Sequence, residues 1–267
     1  MRVDLYTLCW NDIAMLDFFF RHYEPWVDHF FIFDDGSDDG TREYLEKHSK
    51  VTVAPLKRSD PESWVLSAKA FYNSCWRASK GVADWVIIAN IDEHLYHADM
   101  RTYLMKCRAA RITAIPALGY QMIASSFPPP ASVLSRDLCQ GVPWDRMSKL
   151  DIFNPDAVAD IDFAPGRHRA EVRGVLCLPD NDEVLNLHYK YLGFDYVFSR
   201  HRLQSTRLLD TDKRNRWGHK YLWDEETLQR DIAEMDRSSI NVMDPHLDHH
   251  TTHPGHRWWR SLKTASK

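Results

Sequence analysis

Two acidic pairs in this 267-residue sequence stand where a charged ligand would need them. Asp34 and Asp35 close the apolar run His29–Phe33 and lead into Gly36-Ser37, while Asp92 and Glu93 follow the run Trp85–Ala89 through Asn90-Ile91. If both runs are strands of one parallel sheet, the carboxylates gather beyond the strands' carboxyl ends, in the crevice where open α/β sheets bind ligands. Carboxylates there repel a diphosphate unless a hard cation lies between, and Mn²⁺ or Mg²⁺ takes oxygen ligands from both. The same cation offsets charge that develops on a leaving diphosphate. The plainer reading is that Asp-Asp-Gly-Ser is only a turn, since these residue types form turns without any ligand. Late in the chain His188 ends another apolar run with Lys190 beside it, and a lysine there can pair with phosphate; the alternative is a structural histidine. Pro165-Gly166-Arg167-His168 reads as a phosphate or acceptor contact, or as a polar turn. A base that takes the proton of an attacking hydroxyl has three candidates, Glu93, Asp151 and His168, and spacing singles out none of them.

The elements that must position these residues alternate. Val3–Cys9 has the pattern of a buried strand, and Asp12–Tyr23 carries Ile13, Leu16, Phe19 and Phe20 at helical spacing. His29–Phe33 and Val51–Pro55 read as strands, with a short helix over Thr41–His48 between them. Pro61–Gly81 has helical spacing stopped by glycine, and Trp85–Ala89 is the most apolar strand. Strand and helix in turn predict an α/β fold whose mainly parallel sheet is covered on both faces. After Ile112–Pro116 the alternation ends. Ser125–Ser135 reads as a loop, Val172–Leu178 and Glu183–Tyr189 as antiparallel strands, and Phe194–Leu208 and Glu225–Asp236 as helices. The expected organisation is one domain over residues 1–222, with a nucleotide-binding half (1–115) and an acceptor half (116–222). Residues 223–267 follow as a helix and a histidine-rich tail. That tail holds His246, His249, His250, His253 and His256 and reads as solvated and partly disordered, with metal binding as the alternative.

Taken together, the two acidic clusters resemble a known family. Phe31-Ile32-Phe33-Asp34-Asp35-Gly36-Ser37-Asp38-Asp39-Gly40-Thr41 looks like the donor-binding signature of glycosyltransferase family 2, which has the GT-A fold, and Ala83–Leu95 looks like the strand leading into its DxD motif. More narrowly, Asp92-Glu93 and Leu187-His188-Tyr189-Lys190-Tyr191-Leu192 resemble a bacterial subgroup with DxDE and HYKYL patterns. The resemblance spans roughly residues 3–222. It implies a GT-A-like sheet with a smaller antiparallel and helical acceptor part. It also implies transfer of a sugar from a nucleoside-diphosphate donor, UDP-linked, to a hydroxyl acceptor such as a growing surface glycan. By the same resemblance Thr7 and Asn11 lie near the nucleotide, Asp34 or Asp35 accepts from the base, and Asn73 faces the donor, where the Lys190 charge would add a phosphate contact. Asp92 is the main ligand for Mn²⁺ or Mg²⁺, and His188 completes the metal shell. The departure is Asn90, where the family usually has the first aspartate. An amide oxygen brings no charge, so the cation would be held largely by the diphosphate, and Asn90→Asp is expected to raise metal affinity.

Composition narrows the rivals. Net charge is −4, so no overall basic field points to nucleic acid. Five dispersed cysteines without a CxxC pair suit a reducing cytoplasm rather than a disulfide framework. No apolar run approaches the roughly 20 residues of a spanning helix, and Arg257-Trp258-Trp259-Arg260 would at most favour a peripheral contact with a membrane. A nucleotidyltransferase or a dinucleotide oxidoreductase would want a glycine-rich phosphate loop, and Thr7-Leu8-Cys9-Trp10-Asn11 has no glycine. A degenerate, non-catalytic protein that binds sugar nucleotide or glycan remains the other class.

Overall fold

The computed structural model describes residues 1–262. In chain order the strands are β1 (Val3–Cys9), β2 (His29–Asp34), β3 (Val51–Pro55), β4 (Trp85–Ile88), β5 (Glu93–Tyr96), β6 (Ala114–Ala124), β7 (Gln140–Pro143), β8 (Lys149–Phe153), β9 (Val158–Phe163), β10 (Ala170–Gly174), β11 (Val184–Leu192) and β12 (Ile240–Asn241). The helices are α1 (Ile13–Tyr23), α2 (Thr41–Glu46), α3 (Trp64–Tyr72), α4 (Met100–Ala109), α5 (Leu134–Asp137), α6 (Phe194–Ser205), α7 (Asp210–Arg214), α8 (Glu225–Ser238) and α9 (His249–Thr252).

One mixed sheet runs in the order β12-β7-β6-β8-β4-β1-β2-β3. Its first part is parallel: β1 pairs with β2 and β4, and β2 with β3. Every residue of β1 is buried, as both faces of a parallel strand under helices require. Beyond β4 the pairing turns antiparallel through β8, β6 and β7. The exception is β11, which lies parallel to β6 and antiparallel to β5. This is the α/β architecture expected from the sequence, with a parallel part and an antiparallel part. The packing of α1 follows its pattern, burying Met15, Leu16, Phe19, Phe20 and Tyr23.

Two elements depart from the sequence reading for local reasons. The helix expected over 61–81 stops at Tyr72 because Asn73 turns its side chain to the β9–β10 hairpin, donating to Asp162 at 2.7 Å and accepting from the Phe163 amide at 2.8 Å. The strand expected over 172–178 ends at Gly174 (φ +125°), where a Cβ would stand 2.3 Å from the Ala157 carbonyl oxygen, so only glycine fits.

The tail is where the sequence reading is corrected most. Residues 240–262 are not a solvated appendage. β12 pairs with β7, the His253 Nε2 donates to the Gly119 carbonyl at 2.8 Å, and Trp259 is 1% exposed with its indole N–H on Asp182 at 3.1 Å. Indole area buried against the sheet outweighs the local polarity that made the segment read as solvated. Residues 263–267 of that tail lie outside the described residues.

Candidate active site

The carboxyl ends of β2, β1 and β4 lie side by side, with Cys9 in register with Asp34 and Tyr6 with Ile88. Asp34, Asp35 and Asp92 therefore reach one edge of the sheet, separated by the width of β1. Asp34 holds the turn: it accepts from the Ser37 hydroxyl at 2.5 Å and from the Ser37 amide at 3.2 Å. Asn11 (φ +52°) clasps the same turn, its side-chain nitrogen donating to the Asp38 carboxylate and its side-chain oxygen accepting from the Asp38 backbone N–H. Asp35 is gripped from three sides, by Arg58 through two N–H donors, by the Trp64 indole at 3.0 Å and by Arg207 at 2.9 Å. Thr7 is fully buried inside β1, its hydroxyl on the Leu8 carbonyl. Asn73 sits against the β9–β10 hairpin.

At the other end of the crevice the chain folds Asp92 against a residue almost a hundred positions away. The antiparallel pairing of β5 with β11 sets His188 opposite Glu93, which leaves His188 Nε2 3.2 Å from Asp92 Oδ2. The Asp92 side chain is 32% exposed. Burial alone pushes its carboxyl up, but the His188 ring, with Lys190 and Arg200 beyond, outweighs that and holds it well below the usual carboxylate range. Lys190 lies 4.5 Å over the Tyr221 ring.

Glu93, next in sequence, points the other way. It is 1% exposed and enclosed by Lys149 at 2.7 Å and by Arg167. Asn90 completes the cage: its side-chain nitrogen donates to Glu93 at 2.8 Å, while its oxygen accepts from the Tyr72 hydroxyl at 2.7 Å. Asp151 is fully buried beside Arg167, and burial pushes its carboxyl up. Of the three base candidates, Glu93 and Asp151 thus lie beneath the crevice. His168 is half-buried, its Nδ1 on the Arg146 carbonyl, and burial lowers its ring to about 4.

Sequence reasoning missed two cations that line these acids. Arg200, on α6, binds Asp12 and donates to the Trp10 carbonyl at 3.0 Å. Arg207, just past α6, binds Asp35 and lies 4.2 Å over the Trp10 ring. The start of α6 is set by Gly193 (φ +85°), where a Cβ would come 2.8 Å from Ser126. Nothing in the spacing of these arginines marks them. The only signal was their place in the helix expected over 194–208, which follows the strand that carries His188.

Among the described residues no group of three or more His, Cys, Asp or Glu could enclose a metal. The Asp92–His188 pair fits a cation held partly by its ligand. Neighbouring ligands on an octahedral ion with bonds of about 2.1 Å stand about 3 Å apart, and such ions keep waters and substrate phosphates in their remaining positions. Asn90 does not fit as a ligand, because both ends of its amide are engaged.

Residues 16–127 match the family model of glycosyltransferase family 92, less than half of the chain. An Arabidopsis thaliana glycosyltransferase family 92 protein is 29% identical over 98 residues, 36% of this chain and 16% of that protein's length. The matching family model is thus that of family 92, whereas the motifs resembled family 2. Among solved structures, Staphylococcus aureus TarS 1–349 in complex with UDP covers 88% of this chain and 70% of that one, at 10% identity and a TM-score of 0.38. Mycobacterium tuberculosis glucosyl-3-phosphoglycerate synthase, solved with Mn²⁺, UDP and glucosyl-3-phosphoglycerate, covers 44% of each chain at 17% identity and a TM-score of 0.29. No helix among the described residues is long and apolar enough to cross a membrane. Residues 16–127, with both acidic clusters inside them, therefore form a glycosyltransferase-like segment of an α/β domain.

Proposed function

We propose that this chain transfers a sugar from a nucleoside-diphosphate sugar, UDP-linked, to a hydroxyl acceptor such as a growing glycan, as the family 2-like motifs imply. The observation that carries this reading is the Asp92–His188 pair, 3.2 Å apart, with Asp92 32% exposed in the segment that follows β4. Asp92 and His188 would hold Mn²⁺ or Mg²⁺, with oxygens of the donor's diphosphate completing its ligands. When bound, the cation stabilises the negative charge of the departing diphosphate. Lys190 and Arg200 bring further positive charge to the same end of the crevice, and both act on the Asp92 carboxylate. Near the base, Asp34 and Asn11 hold the turn, while Arg58, Trp64 and Arg207 fix Asp35. Five scattered cysteines support a reducing, cytoplasmic setting.

The test is a thermal-shift screen against UDP-, GDP-, CMP- and dTDP-sugars with and without Mn²⁺, followed by donor turnover. A ligand that binds only the folded state raises the melting temperature with its occupancy. The expected result is a shift with a UDP-sugar that grows when Mn²⁺ is added. A protein that no nucleotide sugar stabilises, with or without Mn²⁺, does not have this function.

A further inference from the structure

We propose that Gln121 sets the tautomer of His188 and thereby directs its Nε2 at Asp92. The inference deepens the function proposed above and rests on its cation site. Gln121 lies on β6 in register with His188 on β11 and is 3% exposed. Its side-chain nitrogen donates to the His188 carbonyl at 2.9 Å and to the Met122 carbonyl at 3.3 Å. Neither carbonyl can donate, so the amide cannot flip without losing both bonds. Its oxygen must then face the histidine ring, and it lies 2.8 Å from Nδ1. An amide oxygen only accepts, so Nδ1 carries a proton; Nε2, which donates to Asp92 while no cation is bound, is then the nitrogen whose lone pair becomes free when it gives up its own proton. That nitrogen is the one 3.2 Å from Asp92. In the other tautomer the neutral ring would keep its proton on Nε2 and could not ligate there.

Gln121 is therefore a positioning residue, acting through His188. Histidines that bind metals commonly anchor their second N–H in this way, and losing the anchor costs about 10–100-fold in affinity. Gln121→Leu removes the acceptor at similar size. Gln121→Glu in its protonated form keeps a carbonyl for Nδ1 and a hydroxyl for the His188 carbonyl.

The experiment combines ¹⁵N–¹H correlation of the histidine side chains in the metal-free protein with calorimetry of Mn²⁺ binding in the presence of UDP. We expect His188 Nδ1 to carry a proton in the wild type and in Gln121→Glu, and Gln121→Leu to lose that Nδ1 proton while keeping the Nε2–H that faces Asp92. Mn²⁺ should bind Gln121→Leu about tenfold or more weakly than wild type, with Gln121→Glu close to wild type. A wild-type spectrum with a bare Nδ1 overturns the proposal without any variant, so a misfolded Gln121→Leu would not protect it. Unchanged tautomer and Mn²⁺ affinity in a folded Gln121→Leu overturn it equally. Should the tautomer and affinity shifts appear in a protein that transfers no sugar, the role of Gln121 stands and the proposed activity falls.

Discussion

The side-chain amide of Asn90 donates to the Glu93 carboxylate at 2.8 Å, so the residue that departs from the DxD pattern faces a buried acid and not the open crevice. An aspartate there would set two carboxylates against each other and lose the donor. Asn90→Asp should therefore cost roughly 1–3 kcal/mol of stability, the penalty of leaving a buried polar group unsatisfied. It should not raise Mn²⁺ affinity, contrary to what the motif alone implies. Urea denaturation and Mn²⁺ titration of the variant check both points. An unchanged midpoint with tighter Mn²⁺ binding would restore Asn90 to the cation site.

Asp92 and Glu93 are sequence neighbours with opposite duties. Asp92→Asn should abolish metal-dependent donor turnover with little loss of stability, because its side chain is 32% exposed. Glu93→Gln removes the shared partner of buried Lys149 and Arg167, and breaking such a pair costs about 3–5 kcal/mol. Paired turnover and melting measurements would show the two effects separate. If both variants lose stability alike, Asp92 is part of the core cluster.

His201, on α6, is 1% exposed, and its two ring nitrogens have no partner among the described residues. Burial, and then Lys190 and Lys220, lower its ring to about 3. The unfolded chain binds a proton near pH 6.5 that the folded chain refuses until about pH 3. Its neutral burial thus contributes stability above the unfolded value that is lost as pH falls through this window. Stability of the wild type should rise with pH between about 4.5 and 6.5 more steeply than that of His201→Leu, by close to one proton's worth. Urea midpoints across that range read the slopes directly, and parallel slopes would show that His201 is charged in the folded protein.

Trp259 tests the docking of the C-terminal segment. With 1% exposure and its indole bonded to Asp182, Trp259→Ala should cost about 3–5 kcal/mol, the usual range for truncating a buried aromatic. A denaturation midpoint equal to wild type would mean that the segment leaves the sheet in solution.

By itself the sequence determined the parallel part of the fold. Val3–Cys9 and Val51–Pro55 are strands over the residues expected, and the helix over 13–23 buries Leu16, Phe19 and Phe20 of the predicted stripe, while Ile13, at its first position, stays exposed. Continuous apolar runs and helical spacing are local consequences of which faces are buried, so they can be read one segment at a time. The same reading put Asp34, Asp35 and Asp92 after strands whose ends lie together. Only the tertiary structure decided how the neighbours Asp92 and Glu93 divide, one toward His188 and the crevice, the other toward Lys149 and Arg167. It alone brought Gln121 onto His188, set Arg200 on Asp12 and Arg207 on Asp35, and seated Trp259 on Asp182. Each of these depends on the register of strands or the seating of a helix between residues far apart in the chain. A strand's side-chain period of two states which residues share a face and leaves open which partner that face meets.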